Sequence, residues 1–384
     1  MKFMHLGDLH IGKTLGDFDL YEDQEYILKE LLTIMDEKEV KGVLIAGDVW
    51  DRSMPSEAAT TLLDWFLTSL ANKNVKVFMI SGNHDSDDRL SYAKRFFEAR
   101  NVYVSAIYQG SLEKVTVTDD GEEIDVYMLP FVKASQVRHY FPDEKIDSYD
   151  AAVRTILGNA SIDRTKCNLL VAHQFVAGKG EDPTLGGSES IGTQSVGLVE
   201  KIGYDCFDDF DYVALGHIHS PQRVGRDEVR YSGSPLKYSI SEAKDAKSVP
   251  IINVCGKGNV QIELVSLKPL RDLRHITGTM EELLKMVSER SDDYIHATIT
   301  DEEVVTDAMG ILQKKYPRTV KIDYENTHTK ELEQIDISNV TQNKSFSELI
   351  SDFYHQMYGC EISDEEMEVM RAVAREAGVF NEAD

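Results

Sequence analysis

Short apolar runs recur along the chain, and five of them break off into a polar cluster. Lys2 to Leu6 precedes Gly7-Asp8-Leu9-His10, Gly42 to Ala46 precedes Gly47-Asp48-Val49-Trp50-Asp51, and Val75 to Ser81 precedes Gly82-Asn83-His84-Asp85. Asn168 to Ala172 precedes His173, and Tyr212 to Leu215 precedes Gly216-His217-Ile218-His219. Runs of this length, rich in Val, Ile, Leu and Phe, predict buried strands. Between the first three, Tyr21 to Glu39 and Ser56 to Ala71 repeat their apolar positions with the helical period. Strand, helix, strand repetition with polar groups at the strand ends predicts an α/β sheet that carries its site at the carboxyl edge.

Asp119-Asp120-Gly121, set between alternating Val115/Val117 and Ile124/Val126/Met128, predicts a hairpin turn. The Gly-, Ser- and Thr-rich stretch from Gly178 to Gly197 predicts a loop. From about Leu270 the motifs cease and a small α+β pattern begins: Glu281 to Glu289 helical, Tyr294 to Thr300 extended, Glu302 to Lys315 helical, Val320 to Tyr324 extended. A linker around Asn326 to Thr341 leads to a helical tail with Phe346, Leu349, Ile350, Phe353 and Met357 on one face. The expected division is residues 1–269, 270–330 and 331–384.

At 384 residues, with 42% hydrophobic and 28% charged positions, the chain has the composition of a folded protein and excludes wholesale disorder. The start runs into the polar motif at Gly7-Asp8 without the apolar stretch of a signal peptide, and nothing is apolar enough to span a membrane, so the expected location is cytoplasmic. Cys167, Cys206, Cys255 and Cys360 are far apart and form no C-x-x-C pair, which argues for reduced thiols rather than disulfides or a zinc ribbon. The formal net charge of −26 argues against autonomous, tight binding to nucleic acid, because phosphate affinity comes from Lys and Arg. Residues 340–384 carry three Lys/Arg against ten Asp/Glu, so the tail is not a nucleic-acid arm.

The chemistry lies in five clusters: Asp8 with His10, Asp48, Asn83 with His84, His173, and His217 with His219. Alternate residues leaving a strand point to one side, so Asp8/His10 and His217/His219 can each offer two donors to one pocket. Carboxylates, imidazoles and one amide suit Mn(II), Fe(II) or Zn(II), and seven donors are too many for one ion. Two ions sharing a carboxylate is the arrangement that hydrolyses phosphate esters, and Asp48, single and central, is the bridging candidate. His84 is left over as a non-ligand able to stabilise or protonate a leaving oxygen. The six remaining histidines, His5, His139, His275, His296, His328 and His355, lack this context and read as surface or structural residues.

Together these clusters resemble the signature of the calcineurin-like metallophosphoesterases. The resemblance implies a four-layer α/β/β/α sandwich around two packed sheets. Within that family, Tyr231-Ser232-Gly233-Ser234-Pro235-Leu236-Lys237-Tyr238-Ser239, followed by Glu242-Ala243-Lys244, looks like the segment that closes the nuclease domain of its DNA-processing members. The likeness runs over about residues 1 to 335 and includes a capping domain after Leu270. Carried over by position, it implies that Asp8, His10, Asp48 and His219 hold one ion, that Asp48, Asn83, His173 and His217 hold the other, and that His84 is catalytic. Some relatives carry a second histidine where Asp51 stands here, which leaves Asp51 as a hydrogen-bond acceptor behind the ligands.

The resemblance further implies two Mn(II) ions, double- and single-stranded DNA as substrates, and a coiled-coil ATPase partner in a heterotetramer built on a homodimer. Leu62, Leu63, Trp65, Phe66, Leu90, Tyr92, Phe96 and Phe97 are candidates for the dimer surface. Lys94/Arg95/Arg100, Lys133/Arg138 and Arg223/Arg226/Arg230 are candidates for phosphate contact. The tail face from Phe346 to Met357 is a candidate for docking on the ATPase. Two other readings stand beside this one. Gly47-Asp48-Val49-Trp50-Asp51-Arg52 also approximates the motif of protein phosphatases and small-molecule phosphodiesterases, and a non-catalytic scaffold would keep the fold while losing ligands, none of which is missing here.

Overall fold

The computed structural model describes residues 1–178, 182–185, 201–326, 346–358 and 362–376. Two six-stranded sheets carry the architecture. The first has the order Val260–Ser266, Ser248–Val254, Lys2–Leu6, Gly42–Ala46, Lys76–Ile80, Val102–Ser105, with the last four strands parallel and the first two antiparallel. The second has the order Gln222–Val224, Arg226–Tyr231, Tyr212–Gly216, Cys167–His173, Glu122–Leu129, Glu113–Asp119, parallel at its centre and closed by an antiparallel pair at each edge.

Side-chain alternation along these strands explains the layering. Phe3, Leu44, Phe78 and Ile80 of the first sheet meet Val126, Met128, Leu169, Val171 and Ala214 of the second in one buried core. Their neighbours in sequence, Met4, Val43, Ile45, Val77 and Met79, face the other way and pack with Ile27, Leu31, Leu62 and Phe66. Those residues come from the helices Tyr21–Lys38 and Glu57–Asn72. On the far side, Tyr127, Leu170, Ala172, Val213 and Leu215 pack with Val153 and Ile156 of the helix Tyr149–Asn159. Strands buried on both faces must be apolar at every position, and this is why the runs read as continuous rather than alternating. The result is the four-layer helix, sheet, sheet, helix arrangement.

The hairpin turns at Asp120 and Gly121, both with left-handed backbone, between strands Glu113–Asp119 and Glu122–Leu129. After Leu270, the strands Leu273–Gly278, Tyr294–Ile299 and Arg318–Tyr324 form a three-stranded sheet. The two helices expected there are shorter than their periodicity suggests, Met280–Lys285 and Ala308–Gln313. Asp307 takes a left-handed backbone and Val304 is 80% exposed, so residues 302–307 have neither helical geometry nor an apolar surface to bury. The chain divides into two compact units, one of Met1–Thr277, Glu281–Thr298 and Asp307–Asp323, the other of Gly278–Met280, Ile299–Thr306 and Tyr324–Asp384. In the second, helices Phe346–Tyr358 and Asp364–Glu376 are joined by hydrogen bonds from Tyr354 to Glu366 and from Arg371 to Ser347.

On the tail face, Leu349 and Ile350 are half-buried, and the side chains of Phe346, Phe353 and Met357 lie outside the described residues. So do His328, Cys360, most of the Gly178 to Gly197 stretch and nearly all of the linker after Asn326. No helix among the described residues is long and apolar enough to cross a membrane. The candidate dimer surface divides: Leu62, Leu63, Phe66 and Leu90 are claimed by the core, Trp65 and Phe97 are half-buried against it, and only Tyr92 and Phe96 are broadly exposed.

Within the first unit, Asp23 of the first helix is buried and receives Arg271 Nη1 and the Tyr294 hydroxyl, each at 2.8 Å on Oδ2. Removing a cation from a buried carboxylate costs more than the pair contributes. Arg271→Ala is expected to lower unfolding stability by about 3 kcal/mol, measured by urea unfolding, whereas loss of an exposed partner such as Lys29 should fall within experimental error.

Candidate metal centre

The parallel strands of both sheets end at the same edge, and the loops leaving them supply the side chains. Lys2–Leu6 and Gly42–Ala46 are adjacent and in register, so the loops beyond them continue the pairing: Asp8 N donates to Gly47 O at 3.2 Å and His10 N to Asp48 O at 2.9 Å. Asp8, His10, Asp48 and His217 all have positive φ, between 42° and 98°. Such backbone is costly for residues with a Cβ and collects at functional sites. Close approach is needed as well. A Cβ on Gly216 would collide with the carbonyl oxygen of Ala46, and one on Gly82 with the Asp48 carboxylate.

All eight residues singled out from the sequence converge. His10 Nε2 lies 3.1 Å from His219 Nε2 and 3.5 Å from Asp48 Oδ2. On the other side of Asp48, the same Oδ2 lies 3.4 Å from His173 Nε2. Asn83 Oδ1 is 3.0 Å from both His173 Nε2 and His217 Nδ1. Donor atoms of Asp8, His10 and His219 fall within 4.8 Å of one another, and so do those of Asp8, Asp48 and His173. Asp8, His10, Asp48, His173, His217 and His219 are buried, while Asn83 and His84 are half-exposed at the rim.

Hydrogen bonding leaves this cluster unsatisfied. His173 Nδ1 donates to Ala46 O at 2.7 Å, which leaves Nε2 as a lone pair facing the oxygens of Asn83 and Asp48. His219 presents Nδ1 to Glu242 Oε1 at 3.4 Å, so its Nε2 lone pair faces His10 Nε2. Asp8 Oδ1 accepts from His217 N at 2.8 Å, while Oδ2 is buried without a partner. Lone pairs aimed at lone pairs within a buried pocket are repulsive unless positive charge lies between them. The donor set, mixed N and O at two foci with one shared carboxylate, fits two divalent cations.

The electrostatics agree. Burial pushes His10 down to about 4 and His217 down to about 3, so both rings keep the lone pairs a cation needs. Burial opposes the charge on Asp48, but His173 and His10 overcome it and hold the carboxyl well below the usual range. Burial would likewise lower His173, yet Asp48 and Asp8 lift it to about 9. Burial raises Asp8 to about 6.

Several residues outside the motif reading build the walls. Asp85 accepts hydrogen bonds from the backbone N–H of Val49, Trp50 and Gly82, tying the second and third loops together. Gln24 and Tyr238 brace the first loop: Gln24 Nε2 donates to His10 O at 2.8 Å and Tyr238 OH to Leu9 O at 2.5 Å. The Tyr238 ring stands edge-on to His10 and His219. The signal for Gln24 in the sequence is a polar residue on the apolar face of its helix. Asp51 lies 3.5 Å from His10 Nδ1 and 2.8 Å from Lys13, an acceptor behind the ring. Of the histidines read as structural, His5 is buried between Tyr212 OH and Leu215 O, and His275 stacks on His296.

The candidate phosphate contacts are mostly engaged. Lys94 pairs with Glu113, Arg223 with Asp227, and Arg226 donates to the carbonyls of Phe207 and Phe210.

The calcineurin-like phosphoesterase model matches residues 1–221, and the model described as the type 5 capsule protein repressor C-terminal domain matches residues 269–358. Over 363 residues the chain is 31% identical to the SbcD nuclease of the SbcCD pair from Staphylococcus epidermidis, a match covering 93% of each. Among solved structures, it is similar to a dimetal phosphatase from Danio rerio, with TM-score 0.40, 11% identity, and coverage of 70% of this chain and 99% of that one. It is also similar to the NAD nucleotidase of Haemophilus influenzae, with TM-score 0.35, 12% identity, and coverage of 92% and 70%. Structural likenesses of that degree carry no weight for substrate.

A pH dependence follows from the two raised groups. The protonated form of His173 contributes stability that is fully present below 6.5 and is lost as pH rises through about 9, and the protonated form of Asp8 does the same between 3.8 and about 6. Both protons occupy lone pairs that a cation needs. Affinity for a divalent cation should therefore rise steadily from pH 6 to 9 with release of protons, measured by titration calorimetry in buffers of different ionisation enthalpy. A pH-independent affinity would contradict the assignment.

Proposed function

Because the chain belongs to the calcineurin-like phosphoesterase family, in its branch of SbcD nucleases, we propose that the converging loops form the two-metal site of a DNA phosphodiesterase. Asp8, His10, Asp48 and His219 would hold one cation, Asp48, Asn83, His173 and His217 the other, with Mn(II) as the ion in both. The observation that carries this is the single oxygen, Asp48 Oδ2, lying within 3.5 Å of an imidazole nitrogen from each set. Bound cations would lower the pKa of water and neutralise charge on the phosphate.

The chain's own residues do the rest. Asp48 Oδ1 accepts from His84 N at 2.9 Å, so the oxygen not shared between the sets fixes the loop that carries Asn83 and His84. His84 Nδ1 donates to Asp51 O at 3.0 Å, and the ring stands edge-on to His10 with centroids 4.9 Å apart. That holds Nε2 on the opposite side of the ring, placed to stabilise or protonate the leaving sugar oxygen.

The net charge of −26 supports a division of labour in which an SbcC-type coiled-coil ATPase supplies the grip on DNA. The nuclease would act on double-stranded ends and on single-stranded or hairpin DNA in repair, recombination and replication, in the cytoplasm where the chromosome lies. Tyr92 and Phe96, 79% and 73% exposed, support a homodimer contact within the heterotetramer.

Blunt and hairpin duplexes incubated with Mn(II) or Mg(II), with and without the ATPase, test substrate, metal and partner together. Cleavage with Mn(II) and none after chelation is expected, and preferential turnover of phosphopeptides or cyclic nucleotides would favour the phosphatase reading instead. His84→Ala should reduce kcat by about 10²- to 10³-fold while leaving two cations bound. Full activity in that variant would remove His84 from the mechanism. Asp48→Asn should abolish cleavage and weaken both cations, read by metal titration.

A further inference from the structure

We propose that Glu242 and Lys247 form a buried positioning pair that fixes the ring of His219 and thereby sets the affinity of one of the two cations, an inference that rests on the two-metal reading. Glu242 is fully buried and Lys247 is 7% exposed. Glu242 Oε1 faces His219 Nδ1 at 3.4 Å, while Oε2 takes Lys247 Nζ at 2.6 Å. The same ammonium donates to the backbone oxygen of His219 at 2.9 Å and to Ser234 Oγ at 3.0 Å. Lys247 thus grips both the main chain of His219 and the carboxylate that faces its ring.

Stability does not account for this arrangement. Taking two charges out of water costs several kcal/mol per ion, and an apolar pair of the same volume would hold the fold as well. What an apolar pair cannot do is keep a proton on His219 Nδ1. A carboxylate there holds Nε2 deprotonated and aimed at the focus it shares with His10, and it raises the basicity of the ring. The other imidazoles are oriented differently. His173 leans on the carbonyl of Ala46, and His10 faces Asp51 from its own motif loops. Only His219, among the described ligand candidates, is backed by a carboxylate from outside the five motifs.

The pair is also reachable. Lys247 lines a cavity of about 220 Å³ together with Lys237, Asp245, Arg271 and Tyr294. A small amine can enter a space of that size, which makes chemical rescue practicable.

The test titrates Mn(II) into the metal-free full-length chain by calorimetry. Wild type is expected to bind two ions. Glu242→Gln should weaken one of them by about 10- to 100-fold, leave the other unchanged, and lose kcat at limiting Mn(II) while recovering it at excess, with KM for DNA unaltered. Lys247→Ala should weaken the same ion, and ethylammonium chloride should restore it where sodium chloride at equal ionic strength does not. A residue of purely structural importance would lower the melting temperature without selecting one ion or answering to the amine. Equal affinity in a folded Glu242→Gln protein overturns the proposal. If circular dichroism shows that variant unfolded, Lys247→Ala decides: wild-type affinity, or a loss the amine leaves in place, overturns it. Wild type that binds no metal at all sinks the two-metal reading first, so the two failures are distinct.

Discussion

One carboxylate oxygen holds the site together. Asp48 Oδ2 faces imidazoles from both halves of the molecule, and Oδ1 is bound to the backbone of the loop that brings Asn83 and His84. Its position requires strand Gly42–Ala46 to stop one residue before a left-handed turn, Gly82 to lack a side chain, and the second sheet to approach until Gly216 meets Ala46. The twelve strands, their shared core and their parallel direction can be understood as the scaffold that satisfies those requirements together. Left-handed backbone at Asp8, His10, Asp48 and His217 costs free energy locally, and the core between and outside the sheets is large enough to absorb it.

Much of this was legible because chemistry and topology leave the same mark on the sequence. A strand buried on both faces is an unbroken apolar run, and a residue that reaches a common edge stands just past the end of one. The ligand candidates Asp8, Asp48, Asn83, His173 and His217 are found by that rule alone. Hairpin residues Asp120 and Gly121 are legible because only a few residue types accept their backbone.

The illegible part is of another kind. Helical periodicity from Glu302 to Lys315 is present in the sequence, yet no buried surface receives its first half, and periodicity does not reveal whether a partner exists. Burial of Leu62, Leu63, Phe66 and Leu90 is decided by what lies beneath the helices, so an apolar face could not be told from a dimer surface. Glu242 and Lys247 lie in a stretch whose residues look like those of an ordinary polar turn. Their value appears only when the chain folds them against a histidine some twenty residues upstream, a contact without periodic trace. Asp85, next to a motif, is nearer to visible, but its three backbone partners come from two different loops.

The ligand candidates span the chain from Asp8 to His219, and the pair that backs His219 ends at Lys247. On the ribosome, the first sheet's parallel strands can assemble early, but the centre has only half its donors until the second sheet has emerged. A nascent chain therefore cannot cut the DNA or transcripts around it, and metal loading comes late in synthesis. Splitting the donor set between distant segments ties the appearance of a destructive activity to completion of the domain that contains it.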